Sequence, residues 1–590
     1  MKLVFDIETD GLLENVTKIH CIVARDVSDN DKEYIFKEDT IGDGIEFLQK
    51  AEVLIGHNII CFDLPVIKKL YDVEPKAIVF DTLVLGRLYF PDRKNRDFKL
   101  FRKGNLPPQL IGSHSLKAWG YRIGVNKGKF AEESDFSVFS EDMLQYCQQD
   151  VWLNTCLYKK FENIKYSQDA VKLEHRIQEI LFAQQEHGFP FNEKAAQKLF
   201  SKLNDERCRI ATDLKKDVED WVHEEEFVPK VNSKKFGYEK GVPTIKRTVT
   251  EFNPNSREHI ARMLQEKYEW KPKIFTETGL PKVDEKVLSS LDYPEAKILT
   301  KYLTIQKRLG QLAEGKQAWL KLVKKGKING YVNPMGTYTS RCTHKNPNMA
   351  QIPSVKAAYG VDCRSLFYAN DDYSLMGCDA SSLELRCLSH YMANWDNGRY
   401  GKQVVNDDIH TINQNAAGLP TRDNAKTFIY ALIYGAGNEK LGKIIGKGSQ
   451  EGSRIKAEFF NKIPALKNLT ESVQKTAENG YIYGIDKRRI PVMHPHAALN
   501  TLLQSCGAIL TKRWIVIFHE LLKEKGYIDG CCYKQVAYVH DEVQVLVKKH
   551  KGEEIGKICV EAIKKAGEYY NFRVPLDGEF KIGKNWAETH

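Results

Sequence analysis

The sequence predicts a multidomain chain: an α/β domain first, a helical region next, and an α+β region last. Three observations predict this order. Short apolar strands alternate with helical segments from Lys2 to about Phe161. From Ser167 the spacing becomes that of long amphipathic helices, Val171 to His187 and Glu193 to Trp221. Beyond Asn333 strand-length apolar runs return, among them Leu375 to Cys378, together with a long helix over Ala498 to Leu522. The 590 residues suffice for several domains and a large core. The net charge of +10 favours a polyanionic partner. Binding through Lys and Arg to phosphates would weaken strongly with salt. The 13 cysteines are scattered without paired C-x-x-C sets, which suits reduced thiols in a cytosolic protein. No long apolar span or signal segment is present, and the strand around Phe5 leaves no room for a targeting peptide.

In order, Lys2 to Asp10 alternates, so that Val4, Asp6 and Glu8 share one face and Leu3, Phe5 and Ile7 the other. Two carboxylates on a buried strand are costly unless they bind metal or find partners. An edge strand with solvated acids is the alternative. Val53 to Lys69 gives a strand, the turn Gly56-His57-Asn58, and a helix starting near Asp63. Tyr146 and Asp150 lie i, i+4 on one helix face. Glu224 to Glu251 is irregular and basic and reads as a loop or small insertion, with DNA contact slightly favoured over a solvated charge run. Helices are expected over Asn253 to Lys267, with Ser256 as a cap, and over Tyr302 to Val323. Asn333 to Ile352 is rich in turn residues.

Three stretches of the last region carry chemistry. In Ser374 to Met392 a buried strand ends at Asp379, and Ser381 or Ser382 can cap the helix that follows. By itself Asp379 reads equally as a turn residue or as a site carboxylate. Gln535 to Val547 reads as a hairpin with His540, Asp541 and Glu542 at its tip. Two such acid sites can share divalent metals. In Pro420 to Gly437, Arg422, Lys426 and Tyr430 share one helix face, with Thr421 as cap and Gly435-Ala436-Gly437 as stop. Two cations on one face suit a triphosphate; a solvated basic face is the commoner reading of an isolated helix.

DASSLELR, RDNAKTFIYALIYGAG and VHDE, in that order, resemble motifs A, B and C of the family A DNA polymerases, the DNA polymerase I family. The wording is closest to replicative polymerases of short-tailed phages of the T-odd coliphage type, which PHAALNTLLQS and GKNWAETH also resemble. The resemblance implies a right-hand polymerase domain over 166–590: thumb about 166–330 with a short insertion at 222–251, palm about 331–403 and 495–590, fingers about 404–494. It implies that Asp379 and Asp541 hold two Mg²⁺ ions, with Ala380 among the metal-site positions and Glu542 as a supporting acid; Mn²⁺ can substitute. Arg422, Lys426 and His410, with Tyr430, Tyr434 and the steric-gate residue Glu384, would bind the nucleotide, and Lys426 would protonate pyrophosphate. Arg341, Gln504 and His540 would contact DNA. Minor-groove contacts from Arg341 and Gln504 would test pair shape without reading sequence.

The first 165 residues resemble proofreading exonucleases of the DEDD type, in the variant with tyrosine. That resemblance implies a ribonuclease-H-like 3′–5′ exonuclease domain in which Asp6, Glu8, Asp63 and Asp150 bind two metal ions and Tyr146 orients the attacking water. The implied function is replication of phage DNA by a proofreading DNA polymerase in the cytoplasm of a bacterial host, as a monomer. Its partners would be primer–template DNA and dNTPs, with a phage helicase-primase and a single-stranded-DNA-binding protein beside them. A single-subunit RNA polymerase shares similar palm motifs, but Glu384 and the linked exonuclease oppose it. A binding scaffold with inactive sites is a rival of a different class, and a chain in which only the exonuclease works is a third. In the phage branch a long thumb insertion recruits host thioredoxin. Only Val222 to Glu251 fills that place in this chain, so thioredoxin is not expected as a partner.

Overall fold

The computed structural model describes residues 1–125, 135–218 and 220–590. These fall into two compact units, one of Met1–Phe189, Asn329–Gln351 and Ala369–His590, the other of Pro190–Ile328 and Ile352–Tyr368.

The first unit begins with β1 (Lys2–Thr9), β2 (Ile19–Asp26), β3 (Lys32–Lys37), β4 (Val53–Gly56) and β5 (Ile78–Asp81). They form one sheet in the order β3-β2-β1-β4-β5. β1 pairs antiparallel with β2 and parallel with β4, so it is central and the edge-strand alternative fails. Leu3, Phe5 and Ile7 enter one core, while Val4 packs with Cys21, Val23 and Cys147 on the other face. The connecting helices α1 (Asp63–Tyr71), α2 (Thr82–Tyr89) and α3 (Glu141–Glu162) follow the expected α/β alternation. Ser140 caps α3 by accepting from the Met143 N–H. α4 (Gln168–His187), capped in the same way by Ser167, also belongs to this unit. Its buried Glu174 accepts from Lys512 Nζ at 2.7 and 2.8 Å and from Arg488 at 2.5 Å. Such a buried charge holds only because its partners are themselves fully desolvated and well aligned.

In the second unit α5 (Glu193–Asp217) stops four residues before the expected end. Trp221 instead opens β6 (Trp221–Phe227), which pairs antiparallel with β7 (Thr244–Thr250). The stretch read as a loop is therefore a hairpin. Its base is set by Trp221, which is buried edge-on against Phe252 and His259 and so cannot continue a solvated helix. α6 (Arg257–Tyr268) is capped by Ser256 as expected. The helix expected over Tyr302 to Val323 is α7 (Pro294–Leu309), started by Pro294 at its first turn. It passes through a wide turn at Gly310–Glu314, and only Trp319–Leu322 is helical beyond it. Gly315 closes the break: a Cβ there would stand 2.6 Å from the Gly310 carbonyl oxygen.

The rest of the first unit is built on β8 (Tyr373–Ala380), α8 (Leu383–Asp396), α9 (Ile409–Ala417), α10 (Arg422–Ile433), β9 (Tyr481–Tyr483), β10 (Arg489–Pro491), α11 (Ala498–Glu524), β11 (Tyr533–Val539), β12 (Glu542–Lys548), α12 (Gly552–Tyr569) and β13 (Gly578–Gly583). The sheet order is β11-β12-β8-β13, antiparallel throughout. The carboxyl-terminal tail adds one strand to it, β13. Met376 and Cys378 of β8, Val543, Val545 and Val547 of β12, and Trp514 of α11 lie in one large core. One face of the sheet is thereby fixed against helices, and the strand ends at Asp379 and Asp541 are held rigid. Among the described residues no helix is long and apolar enough to cross a membrane.

Candidate functional site

The first acid cluster forms where β8 and β12 lie side by side. Their register sets Asp379 opposite Glu542, and the Ala380 N–H donates to the Asp541 carbonyl at 3.0 Å. Asp541 follows His540, which turns the hairpin at φ +57°. Glu542 is already inside β12 rather than at the tip. Asp379 is open to solvent, yet desolvation by the surrounding protein, then the charges of Asp541 and Glu542, push its carboxyl up to about 7. Asp541 is pushed up to about 6, first by burial and then by Glu384. Two carboxylates that resist ionising side by side are a donor set short of positive charge, which fits divalent cations.

Glu542 is placed differently. It is buried and accepts from Gln544 at 2.7 Å and from the Trp586 indole at 2.5 Å, and His590 Nδ1 stands 3.1 Å away. The motif GKNWAETH thus supplies side chains that hold Glu542, roles the sequence alone did not suggest.

A cleft lined by Arg341, Glu384, Tyr434, His540 and Asp541 opens above these acids. α8 positions Glu384, although neither serine caps that helix: Ser382 sits at φ +52° without a capping hydrogen bond, and the Ser381 carbonyl accepts from Arg386 Nε. The Tyr434 hydroxyl donates to Glu384 at 3.0 Å. Burial pushes Tyr430 up to about 12, with the charges of Glu384 and Asp541 adding to it. Its ring centre lies 6.3 Å from that of His410. Burial, then the nearby Arg422 and Lys426, keep His410 below the usual range. Thr421 caps α10 as expected, and Lys426 is exposed one turn after Arg422. Arg422 itself is held by Asp408, Nε at 2.7 Å and Nη2 at 3.1 Å, a pairing that no sequence motif announced. Gln504, on α11, donates to Asn500 at 2.8 Å.

A second acid cluster sits on β1. Asp6, Glu8 and Cys147 present ligand atoms within 4.8 Å of one another. Asp63, at the start of α1, is buried and accepts from the Ile7 N–H at 3.2 Å. Burial pushes its carboxyl up to about 7. Tyr146, Cys147 and Asp150 are buried on α3, and the Cys147 thiol reaches the Asp6 carbonyl. Of the five expected residues, Asp6 and Glu8 lie on β1, Asp63 on α1, and Tyr146 and Asp150 on α3; among the described residues the group of mutually close ligand atoms holds Asp6 and Glu8 with Cys147, and not Asp63 or Asp150. Asp81, which the sequence did not single out, is a buried carboxylate with a structural role: it accepts the N–H groups of Asn58, Ile60 and Leu83 and caps α2.

Comparison with known proteins places this architecture. The family model for DNA polymerase family A matches residues 234–588. The chain is 37% identical to the DNA-directed DNA polymerases of Enterobacteria phage T3 and Escherichia phage T7, with 100% of each chain covered. Those alignments run over 708 and 709 positions against 590 residues, so both phage proteins carry segments that this chain lacks. DNA polymerase I of Aquifex aeolicus is 26% identical over 95% of this chain and 93% of its own. Among solved structures, the POL domain of Pol1 from M. smegmatis in complex with DNA primer-template and dNTP superposes with a TM-score of 0.74. It covers 100% of this chain and 96% of its own at 16% identity, a likeness that shows the multidomain fold. Full-length identity to the phage enzymes and a family match over more than half of its residues agree, and the chain belongs to DNA polymerase family A.

Proposed function

We propose that this protein is a DNA-directed DNA polymerase that extends a primer along a DNA template with dNTPs and removes mispaired 3′ ends with a separate exonuclease site. The observation that supports it most is the meeting of Asp379 and Asp541 across adjacent strands. These acids come from segments far apart in sequence, and both are strained by burial and repulsion. The relatives' names, and the primer-template and dNTP in the mycobacterial complex, support the same substrates for this chain. Asp379 and Asp541 would hold two Mg²⁺ ions, which when bound supply the charge that lowers the pKa of the primer hydroxyl and stabilises the leaving pyrophosphate.

The chain's own residues do the rest. Arg422, Lys426 and His410 offer donors to the triphosphate, and Lys426 can hand a proton to pyrophosphate. Glu384, held by Tyr434, limits the space beside the sugar. Arg341 and Gln504 face the primer end, beside His540. Residues 1–165 would act as the exonuclease and 166–590 as the polymerase. Asp6, Glu8, Asp63 and Asp150 would hold the exonuclease metals, and Tyr146 would orient water. Helicase-primase and single-stranded-DNA-binding protein would work beside a monomer in the host cytoplasm.

The test is extension of a primed single-stranded template by the purified chain with Mg²⁺. Absence of template-directed extension with dNTPs would falsify the reading. Degradation without extension would leave only the exonuclease.

A further inference from the structure

A recess of about 730 Å³ lies on the first unit away from both acid clusters, between the α3–α4 junction and the β9–β10 hairpin. Lys165, Lys487 and Arg489 stand around it. Among the described residues none of the three forms an ion pair, whereas the nearby Arg488 and Arg513 do. The acids close by are already used. Asp486 is buried against Arg488, and Asp169 accepts from Arg513 and from the hydroxyls of Tyr569 and Tyr570. The recess is therefore positive.

Its walls are aromatic. Tyr483 and Tyr569 are 50% and 52% exposed, large values for tyrosines lining a concavity. Tyr569 is not loose: Asp169 holds its hydroxyl at 2.7 Å, and the Arg513 guanidinium lies 4.1 Å from its ring centre. A fixed ring with one face packed on arginine and the other edge in solvent is a platform for another flat group. Unpaired bases stack on such rings while cations track the phosphates. A duplex keeps its base faces inside its own stack, so it cannot use these rings. The cations come from two separate segments spread along the rim, which suits a strand better than one phosphate group.

We propose that this recess binds a short stretch of single-stranded DNA, with bases on Tyr483 and Tyr569 and phosphates on Lys165, Lys487 and Arg489. The hairpin that carries two of these cations runs through Pro495–Ala497 into α11, which bears Gln504. A strand held in the recess would lie on the same element that faces the primer end. The inference rests on the proposed use of a template. Primer extension by the parental chain tests that use, and the variants below test the recess alone.

The experiment is fluorescence anisotropy of a labelled sixteen-residue oligo(dT) with the full chain, in EDTA to stop cleavage, across a series of KCl concentrations. Lys487→Glu with Arg489→Glu should weaken binding about tenfold at low salt. It should also make the salt slope shallower by about 1.4, since each single-strand phosphate neutralised is worth about 0.7. Tyr483→Ala with Tyr569→Leu should weaken binding about tenfold and leave the slope unchanged, because stacking carries no charge. Melting temperatures matching the parent show that the variants are folded. A 4-thiothymidine oligonucleotide should cross-link to the peptides holding Tyr483 or Tyr569. Unchanged affinity and slope in both variants, or cross-links only elsewhere, overturn the proposal. Displacement of the oligonucleotide from the recess by dTMP as readily as by oligo(dT) also overturns it, in favour of a mononucleotide site.

Discussion

The two acid clusters are made from the same side chains but sit in different surroundings. The cluster at Asp379 and Asp541 lies where two strands about 160 residues apart in sequence pair in one sheet, with Asp541 lining an open cleft. Cationic side chains stand near it, with Arg341 acting on Asp541 and Arg422 and Lys426 beside His410. In the other cluster Asp6 and Glu8 lie on the central strand β1 and Asp63 at the start of α1; Glu8 and Asp63 are buried, and Cys147 of α3 stands beside Asp6 and Glu8. Both raise carboxylate pKa values by burial. The same donor chemistry thus sits in two settings, one solvent-facing at Asp379 and one covered around Asp63.

The largest expected effect separates the two clusters. Asp379→Ala or Asp541→Ala should lower primer extension by about a thousandfold or more while degradation of single strands continues. Asp6→Ala with Glu8→Ala should do the reverse. Gel assays of both reactions check it, and loss of both activities from one cluster's variant breaks the comparison.

A smaller effect concerns Tyr430. The parental chain should accept dideoxynucleotides readily, because the phenolic hydroxyl can supply a hydrogen bond in place of the missing 3′-OH. Tyr430→Phe should raise discrimination against them about tenfold, roughly one hydrogen bond to a charged group. Steady-state incorporation of each nucleotide measures this. Equal discrimination in both proteins removes any such role for the hydroxyl.

A third prediction uses pH. Asp379 at about 7 and Asp541 at about 6 take up protons as pH falls through those values, and protons compete with Mg²⁺ for the same oxygens. The Mg²⁺ concentration for half-maximal extension should therefore rise about tenfold between pH 8 and pH 6. Because both folded values lie above the ordinary carboxylate range, ionisation of this cluster opposes folding. Without metal, Asp379→Asn should raise the melting temperature at pH 8 and have less effect at pH 5. A pH-independent Mg²⁺ requirement would mean that these two carboxylates stay ionised across that range.

The smallest expected effect is none. Product length on a primed single-stranded circle, measured with a trap for released enzyme, should not change when reduced host thioredoxin is added. The hairpin of β6 and β7 fills the place of the expected insertion, and its exposed lysines would touch a DNA backbone. A large increase in product length shows that this hairpin docks a protein.

Much of this molecule was determined by local sequence. The strand at Lys2 follows from its period of two, those at Leu375 and Gln535 from strand-length apolar runs, and the starts of α6 and α10 from Ser256 and Thr421, because such patterns and capping act over a few residues. That Asp6 and Glu8 share one face of a strand was legible from their alternation, whereas Asp379 by itself read equally as a turn residue and was linked to Asp541 only by the resemblance. Only the tertiary structure decided what those rules leave open. Trp221 leaves its helix because a pocket beside Phe252 buries it, and helix α7 breaks where Gly315 lets the chain approach the Gly310 carbonyl. Cys147 beside Glu8, Asp408 on Arg422 and Trp586 on Glu542 are meetings of residues far apart in the chain or unlike any motif. No periodicity encodes such meetings, since they depend on how whole elements pack. The closing of Asp379 on Asp541 is the chief of them: sequence supplied two acids at two strand ends, and the register of β8 on β12 made them one site.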